Sequence, residues 1–225
     1  MMKTRSFVLS ALPAAMLMSL ICSGSIQYGH ADAPIAATAE DVRPLETGEP
    51  APRFTVQTVD GENFEFDPRR LERPAIIITF RGGWCPYCNL HLSELREVVP
   101  QIGDMDVDLL FLSGDRSELL YDSLSREAQD DIDGLDYTIL SDANANAAIA
   151  FGIAFRAPER YLTMLPEKGV DIEESSMSRH GVLPVPAVFA VDRSGKIAYS
   201  FVNANYKVRL PADELLAVAA DIVKP

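Results

Sequence analysis

Cysteine, histidine and positive charge are all scarce in this chain. The sequence of 225 residues contains 3 cysteines and 3 histidines. A closed structural zinc site needs four ligands, and no second cluster of Cys or His accompanies the Cys85–Cys88 segment. Lysine and arginine total 20 against 33 aspartate and glutamate residues, which gives a formal net charge of -13. Nucleic acids and anionic membrane surfaces are polyanions, so neither is expected as a partner.

Long apolar runs are also few, and the longest stands at the start of the chain. Lys3 and Arg5 precede the apolar stretch Phe7–Cys22, and small and polar residues then lead to Ala33. This order is typical of an export signal over residues 1–33, cleaved after Ala33. The apolar stretch falls short of the roughly 20 residues that a membrane span needs, so an uncleaved anchor is less favoured and no stable membrane insertion is expected. The expected location is the periplasm.

Removal of the signal would also remove Cys22, leaving Cys85 and Cys88 as the only cysteines. In an oxidising compartment such a lone pair is either a structural disulfide or a redox couple. A disulfide that closes so short a loop removes little chain entropy and would stabilise the fold weakly. The spacing therefore favours a redox couple.

The rest of the chain is expected to form one domain after a leader. Residues 34–50 show no clear period and predict a flexible leader, and residues 51–225 are long enough for one domain with a sizeable core. Strand and helix patterns alternate, which predicts an α/β fold with a parallel core and right-handed crossovers. The predicted strands are 54–59 and 63–66 (a hairpin), 75–80, 107–112, 137–140, 188–192 and 196–201. The predicted helices are one from the cysteines to Val99, stopped by Pro100, then 117–129, 145–151 and 211–223, with a polar insertion at 156–181 beside the active face.

The segment Cys85-Pro86-Tyr87-Cys88 directly follows the buried-strand pattern and opens a helix. Residues three apart at a helix start lie about 5 to 6 Å apart, the separation that a disulfide requires. Cys85 would sit where free backbone N–H groups and the helix dipole favour a thiolate, and Pro86 suits the first helical position. Cys85 is thus the expected attacking thiol and Cys88, one turn deeper, the resolving thiol.

Three neighbours are expected to support this pair. Trp84 is predicted to shield one side of the Cys85 sulfur and leave the other open. Arg81 is the nearest cation in sequence and either favours the thiolate or is an ordinary solvated arginine. Pro186, just before the strand at 188–192, is predicted to be a cis proline that brings backbone groups against the sulfurs. The alternative is that Pro186 merely begins that strand.

Metal binding is the competing use of a Cys-x-x-Cys pair. His91 would face the same way as Cys88, so Cys85, Cys88 and His91 are conceivable ligands of copper or zinc in a non-catalytic binding module. A fourth ligand is missing from the sequence pattern, and His91 is more readily interpreted as a partly exposed helix residue. The expected site therefore holds no metal and no cofactor other than its own redox-active disulfide.

Two segments, residues 80–88 and 183–195, resemble peroxiredoxin-like proteins of the thioredoxin superfamily, within the alkyl hydroperoxide reductase and thiol-specific antioxidant (redoxin) family. Residues 140–142, 151–152 and 205–209 are also similar, so the resemblance runs from about Pro50 to the C-terminus. It implies a thioredoxin-like fold with a central mixed sheet flanked by helices, an N-terminal hairpin extension and an insertion before the Pro186 strand. It also implies Cys85 as the nucleophile and an antioxidant or redox-homeostasis role.

The chain departs from the proteins it resembles at four positions. Ile78 and Gly82 stand where peroxiredoxins carry the proline and threonine before their cysteine, and Pro186 stands where they carry an arginine. Thr79 replaces the buried acid of thioredoxins. We therefore expect a thiol-disulfide oxidoreductase whose substrate is a protein disulfide or a hydroperoxide, with a thiol-dependent peroxidase proper as the alternative. An unidentified thiol would reduce the pair again.

Overall fold

The computed structural model describes residues 34–224, which form a seven-stranded sheet, a separate two-stranded sheet and flanking helices. The strands are β1 Phe54–Gln57, β2 Asn63–Phe66, β3 Ala75–Phe80, β4 Asp108–Ser113, β5 Thr138–Ser141, β6 Ala154–Arg156, β7 Val182–Pro184, β8 Ala187–Val191 and β9 Ile197–Val202. The α-helices are α1 Pro86–Leu95, α2 Val99–Gly103, α3 Arg126–Ile132, α4 Asn146–Ala150, α5 Arg160–Glu167, α6 Ser176–His180 and α7 Ala212–Ile222.

The large sheet is mixed, with a parallel centre. Its strand order is β2-β1-β5-β4-β3-β8-β9. β3 pairs parallel with β4, and β4 pairs parallel with β5, while β8 and the β1–β2 hairpin run antiparallel to their neighbours. The predicted α/β class, the parallel core and the entry hairpin are therefore confirmed.

β3 lies at the centre of the core and is buried along its whole length. Ile77 packs into the cluster on one face of the sheet, with Phe151 and Phe189. Ile76 and Ile78 pack into the cluster on the other face, with residues of α1 and α7. Strands buried on both faces carry continuous apolar runs, and this run confirms that rule. The predicted apolar face of α7 is confirmed as well, with these buried residues: Leu215, Val218, Ala219 and Ile222.

Two predicted helix boundaries are wrong. α1 ends at Leu95, and Pro100 lies in the first turn of a separate helix, α2, where its missing N–H costs no hydrogen bond. The predicted helix 117–129 is a short 3-10 turn at Ser117–Leu119 followed by α3. Ser125 starts α3 because its side chain accepts a hydrogen bond from the N–H of Ala128.

The segment 34–50, expected to be a flexible leader, instead lies along the domain. Ala36 N–H donates to the carbonyl of Ala154 at 3.0 Å and the Ala36 carbonyl accepts from Arg156 N–H at 2.9 Å, which adds this segment beside β6. Further along, Arg43 and Leu45 donate their N–H groups to Gly152 and Phe151. These backbone pairings, which a composition pattern does not reveal, order the segment.

The polar insertion 156–181 contains α5 and α6. Its end is joined to the main domain where Ser176 N–H donates to the Gly114 carbonyl at 2.9 Å. Within residues 34–224, no helix is both long enough and apolar enough to cross a membrane. The predicted export signal, residues 1–33, lies outside the described residues.

Candidate active site

The dithiol lies where β3 passes into α1 through a Gly82–Gly83 turn. Cys85 N–H donates to the Gly82 carbonyl at 3.1 Å, and Cys85 has extended backbone angles (φ -88, ψ 112) immediately before the helix. Pro86 is the first residue of α1, as predicted. Cys85 is therefore the residue that caps the helix N-terminus, where unpaired N–H groups favour an anion.

Two polar side chains that the sequence did not single out hold this turn. Gly83 N–H donates to Asp115 Oδ2 at 2.7 Å, and Asn89 Nδ2 donates to the Gly83 carbonyl at 2.6 Å. Asp115 follows β4, and burial raises the pKa of its carboxyl. Asn89 also accepts from Ser125 N–H, which ties α1 to the start of α3. Nothing in the spacing of Asp115 from Cys85 signals this role, because only the parallel pairing of β3 and β4 brings them together.

The two cysteines are not joined by a disulfide in this structure, and both are buried. Cys85 keeps 2% of its surface exposed and Cys88 keeps 1%. Burial of Cys88 was predicted, but the open side expected for Cys85 is not present. Both cysteines belong to the core cluster around α1, and partly buried Trp84 and Tyr87 pack against that cluster. The turn thus draws the first sulfur into the core instead of leaving it at the surface.

The two sulfurs have opposite shifts in pKa. Donation by the Cys88 thiol is the largest cause that lowers the pKa of Cys85 to about 6, and the Cys88 backbone N–H and the charges of Arg209 and Arg81 add to it. Complete burial raises the pKa of Cys88 well above its usual value. These directions favour a thiolate on Cys85 and a proton on Cys88.

The segment between β9 and α7, residues 203–210 (the 203–210 loop), lies beside the pair. Arg209 Nη2 is 3.5 Å from Cys88 Sγ, and Arg209 Nη1 donates to the Tyr206 carbonyl. The Tyr206 ring contacts Tyr87 edge-on at 5.6 Å between centroids. Arg209 is the functional residue that sequence reasoning missed, and the family resemblance over 205–209 was its one signal.

His91 anchors the end of this loop. Its Nε2 lies 3.1 Å from the Leu210 carbonyl, which only accepts, so Nε2 carries the proton. His91 is buried, not partly exposed as expected, and burial lowers its pKa to about 4. In the part of the chain that the structure describes, no three His, Cys, Asp or Glu side chains form a group that could hold a metal ion. His91 therefore serves loop attachment.

Arg81 is buried beside the dithiol and is not an ordinary solvated arginine. It keeps 6% of its surface exposed, and its charge contributes to the lowered pKa of Cys85. Its Cζ lies 4.3 Å from the centroid of the Tyr206 ring and 5.6 Å from that of Phe155. Trp84 is half-buried, with its ring 6.1 Å from that of Tyr161 at the start of the insertion. The insertion thus borders the site, as predicted.

Pro186 is buried between β7 and β8, and its expected cis bond is not found, since every peptide bond in the described residues is trans. Hydrogen bonds hold the chain extended here. Val185 N–H donates to the Ile153 carbonyl at 2.9 Å, and the Val185 carbonyl accepts from Thr79 Oγ1 at 3.2 Å. Thr79 Oγ1 in turn accepts from Ala187 N–H at 3.0 Å. Thr79, which stands where thioredoxins carry a buried acid, thus links β3 by hydrogen bonds to the residues on either side of Pro186.

The sheet and the dithiol at the start of α1 define the class, which is a peroxiredoxin-like protein of the thioredoxin superfamily. Residues 47–200 match the AhpC/TSA family, and the chain belongs to that family.

Known proteins with related sequences and structures agree with this class. The thiol-disulfide oxidoreductase ResA of Bacillus thuringiensis (strain Al Hakam) is 20% identical over 170 residues, 76% of this chain and 78% of the relative. Peroxiredoxin Bcp of Escherichia coli K12 is 28% identical over 112 residues, 50% of this chain and 67% of the relative. A peroxiredoxin-like protein from Aquifex aeolicus has a similar fold, with a TM-score of 0.59, 18% identity and coverage of 84% and 98%. The protein is a thiol-based oxidoreductase.

Proposed function

We propose that this protein is an exported thiol-disulfide oxidoreductase in which Cys85 attacks an oxidised substrate and Cys88 resolves the intermediate. The Cys85 thiolate attacks one sulfur of a substrate disulfide, forms a mixed disulfide and releases the other substrate sulfur as a thiolate. Cys88, on losing its proton to that leaving group or to water, attacks the Cys85 sulfur. The second substrate thiolate leaves, and the protein, now oxidised by two electrons, carries a Cys85–Cys88 disulfide. A reducing thiol then restores the two free thiols.

The position of Cys85 as the cap residue of α1, with Cys88 in the first turn of that helix, carries this proposal, and the opposite pKa shifts of the two thiols support it. A thiol reacts only as thiolate, and a pKa near 6 leaves Cys85 ionised at neutral pH. Burial and the neighbouring Cys85 thiolate raise the pKa of Cys88, so Cys88 stays protonated in the reduced protein. When a mixed disulfide forms on Cys85, that thiolate is gone, and a negative charge on Cys88 becomes less unfavourable. A structural disulfide would need neither shift.

Trapping the mixed disulfide tests the proposal. Reduced Cys88→Ala protein is mixed with an oxidised model protein, and the products are separated without reductant and identified by mass spectrometry. We expect a mixed disulfide at Cys85 that accumulates in Cys88→Ala, turns over in the wild type and is absent in Cys85→Ser. A Cys88→Ala protein that forms no adduct, under conditions where a small free thiol does, would refute Cys85 as the nucleophile.

A hydroperoxide is the second candidate substrate, and the burial of Cys85 favours it because a small oxidant reaches a sulfur that is 2% exposed more easily than a protein does. The Cys85 thiolate would attack one oxygen of the peroxide and break the O–O bond, and the leaving alkoxide would take up a proton. The resulting sulfenic acid on Cys85 would condense with Cys88 and release water. Stopped-flow mixing of reduced protein with hydrogen peroxide, and separately with a protein disulfide, divides the candidates. The faster reaction, absent in Cys85→Ser, identifies the substrate class.

Export is part of the proposal and rests on the charged and apolar pattern of residues 1–33. Without Cys22, the mature chain carries a single pair of cysteines, so no third thiol competes for the disulfide. Expression of the full chain in a bacterial host, followed by cell fractionation and N-terminal sequencing, should find a periplasmic product that starts near Pro34. A cytoplasmic product with an intact N-terminus would contradict export.

A further inference from the structure

A cleft of about 420 Å³ opens on the side of Arg81 that faces the leader and the insertion. Its walls come from segments outside the core fold. Glu40 belongs to the leader, Tyr161 belongs to the start of the insertion, and Tyr206 belongs to the 203–210 loop. Two of these residues also touch the dithiol turn, since Tyr161 contacts Trp84 and Tyr206 contacts Tyr87. The cleft is of the size that small ligands occupy, and its wall includes Arg81, whose charge acts on Cys85.

Arg81 lines this cleft, and its guanidinium N–H groups have no acceptor among the described residues. Its Nε is fully buried without an acceptor, and among residues 34–224 no carboxylate forms an ion pair with its guanidinium. The rings of Tyr206 and Phe155 contact the guanidinium, but ring stacking leaves the N–H donors in the plane without partners. A buried cation in this condition costs free energy unless an anion pairs with it.

The charges around the cleft have the same sign as Arg81. Arg156 and Arg160 also line it, against the single carboxylate of Glu40, although the whole chain has a formal net charge of -13. Arg156 donates from Nη1 to the His180 carbonyl at 3.2 Å, and Arg160 lies over the Tyr161 ring at 5.1 Å from Cζ to centroid. The lining of this cleft thus carries more positive than negative charge in an acidic protein, which favours a small anion with an apolar or aromatic body.

We propose that this cleft binds the carboxylate of a small organic disulfide substrate, with Arg81 as the carboxylate-binding residue. The inference rests on the proposed function and narrows its substrate class. Held by a charge-assisted pair to the guanidinium, the substrate presents its disulfide to Cys85. The thiolate then forms a bond to one substrate sulfur as the substrate S–S bond breaks, and the carboxylate-bearing thiolate leaves. Cys88 closes the Cys85–Cys88 disulfide as described above.

Two aromatic disulfides of opposite character test this proposal. Dithiobis(nitrobenzoic acid) carries carboxylates and dithiodipyridine carries none, and each releases a coloured thiol. We expect Arg81→Gln to lower the ratio of their rate constants with the reduced protein about tenfold, the usual weight of one charge-assisted pair. Arg81 also affects the ionisation of Cys85, but this effect changes both rate constants by the same factor and cancels in their ratio. Arg160→Gln should lower the ratio about threefold. Because Arg160 is exposed, this second variant tests the cleft even if the buried Arg81→Gln variant misfolds.

Arg193→Gln is the matched control for loss of one positive charge. Arg193 is exposed in the turn after β8, at the opposite end of β3 from the dithiol, so its ratio should equal that of the wild type. Binding of benzoate to the Cys85→Ser/Cys88→Ser protein, followed by NMR shifts of the Arg81 region, tests the cleft without any redox chemistry and should weaken about tenfold with Arg81→Gln. Unchanged ratios in both cleft variants, or benzoate binding that ignores Arg81, would overturn the subsite. Failure of both reagents to oxidise the wild-type pair would instead overturn the proposed function.

Discussion

At the scale of single residues, the Cys88 thiol is the most important neighbour of the Cys85 sulfur. It donates a hydrogen bond that stabilises the thiolate, and the same hydrogen bond helps to keep Cys88 protonated. Burial of Cys88 and this contact therefore both favour ionisation of Cys85 over ionisation of Cys88. The guanidinium groups of Arg209 and Arg81 lower the Cys85 pKa by a smaller amount, because their charges act at longer range than the hydrogen bond from the Cys88 thiol.

The first prediction concerns this contact. Ultraviolet titration of the thiolate in the reduced wild type should show a midpoint near pH 6, and reactivity should rise with pH through that value and level off by neutrality. Cys88→Ala removes the donor and should raise the midpoint toward that of free cysteine, while Cys88→Ser keeps a hydroxyl donor and should raise it less. Cys85→Ser should abolish the acidic transition. A wild-type midpoint near 8.5, the free-cysteine value, would contradict this account.

The second prediction concerns the close approach of the turn to its neighbour. A Cβ added at Gly83 would clash with the side chain and the backbone of Ser123, so Gly83→Ala forces the turn away from Ser123. Overpacking of this kind costs about 1–3 kcal/mol of unfolding free energy, measured by urea denaturation. Gly103→Ala, in α2 with its nearest contact a side chain at 3.4 Å, is the control and should be neutral or slightly stabilising. Equal stability of the two variants would mean that the turn is not so tightly held.

At the scale of elements, the 203–210 loop packs beside the dithiol. Tyr206 contacts Tyr87 and Arg81, while Arg209 contacts Cys88 and His91 holds the end of the loop. The loop has no regular secondary structure, so its position depends on these side-chain contacts. Elements held in this way open at lower cost than core strands.

The third prediction follows from this arrangement. If the loop limits access to the dithiol, Tyr206→Ala should increase the rate of Cys85 alkylation by iodoacetamide about tenfold at fixed pH, because the ring that packs against Tyr87 is lost while the thiolate remains. Tyr206→Phe keeps the ring and should react at the wild-type rate. The Cys85 pKa is measured in each variant, so that a change in ionisation is separated from a change in access. Equal alkylation rates in all three proteins would show that the loop does not limit access.

Sequence patterns were reliable for elements with strong local signals. The apolar run of β3, the proline at the start of α1 and the apolar face of α7 were all predicted at or near their observed positions. The helix end at Pro100 and the helix over 117–129 were predicted wrongly, because proline and serine stop or start a helix according to the fold around them. The chain before Pro186 is hydrogen-bonded to Thr79 and Ile153, which are far away in the sequence.

At the scale of the whole molecule, residues 34–50 join parts of the domain that are far apart in sequence. Ala36 pairs with the β6 region, Arg43 and Leu45 with the end of α4, and Gly48 with Ile197 in β9. Ala39 is buried in the core cluster of that face. The segment thus belongs to the cooperative unit, and it also supplies one wall of the cleft beside Arg81.

The fourth prediction tests this integration. A chain that starts at residue 51 should lose about 2 kcal/mol or more of unfolding free energy relative to one that starts at residue 34, because several backbone hydrogen bonds of about 1 kcal/mol each are lost. Urea denaturation of the two reduced proteins measures the difference. Intrinsic fluorescence of Trp84, which contacts Tyr161 near the cleft, provides an independent signal of whether the site region changes. Identical unfolding curves would return residues 34–50 to the role of a flexible leader.

The sequence by itself determined the class of chemistry, because the spacing of Cys85 and Cys88 at a strand-to-helix junction is local information. It also determined the mixed α/β architecture, since apolar periodicity follows from which faces must be buried. Only the tertiary structure decided how deeply Cys85 is buried, which cations act on it and what lies beside it. Those features depend on Asp115, Tyr206 and Arg209, which reach the site through strand pairing and loop packing across distances in the chain that no local pattern encodes.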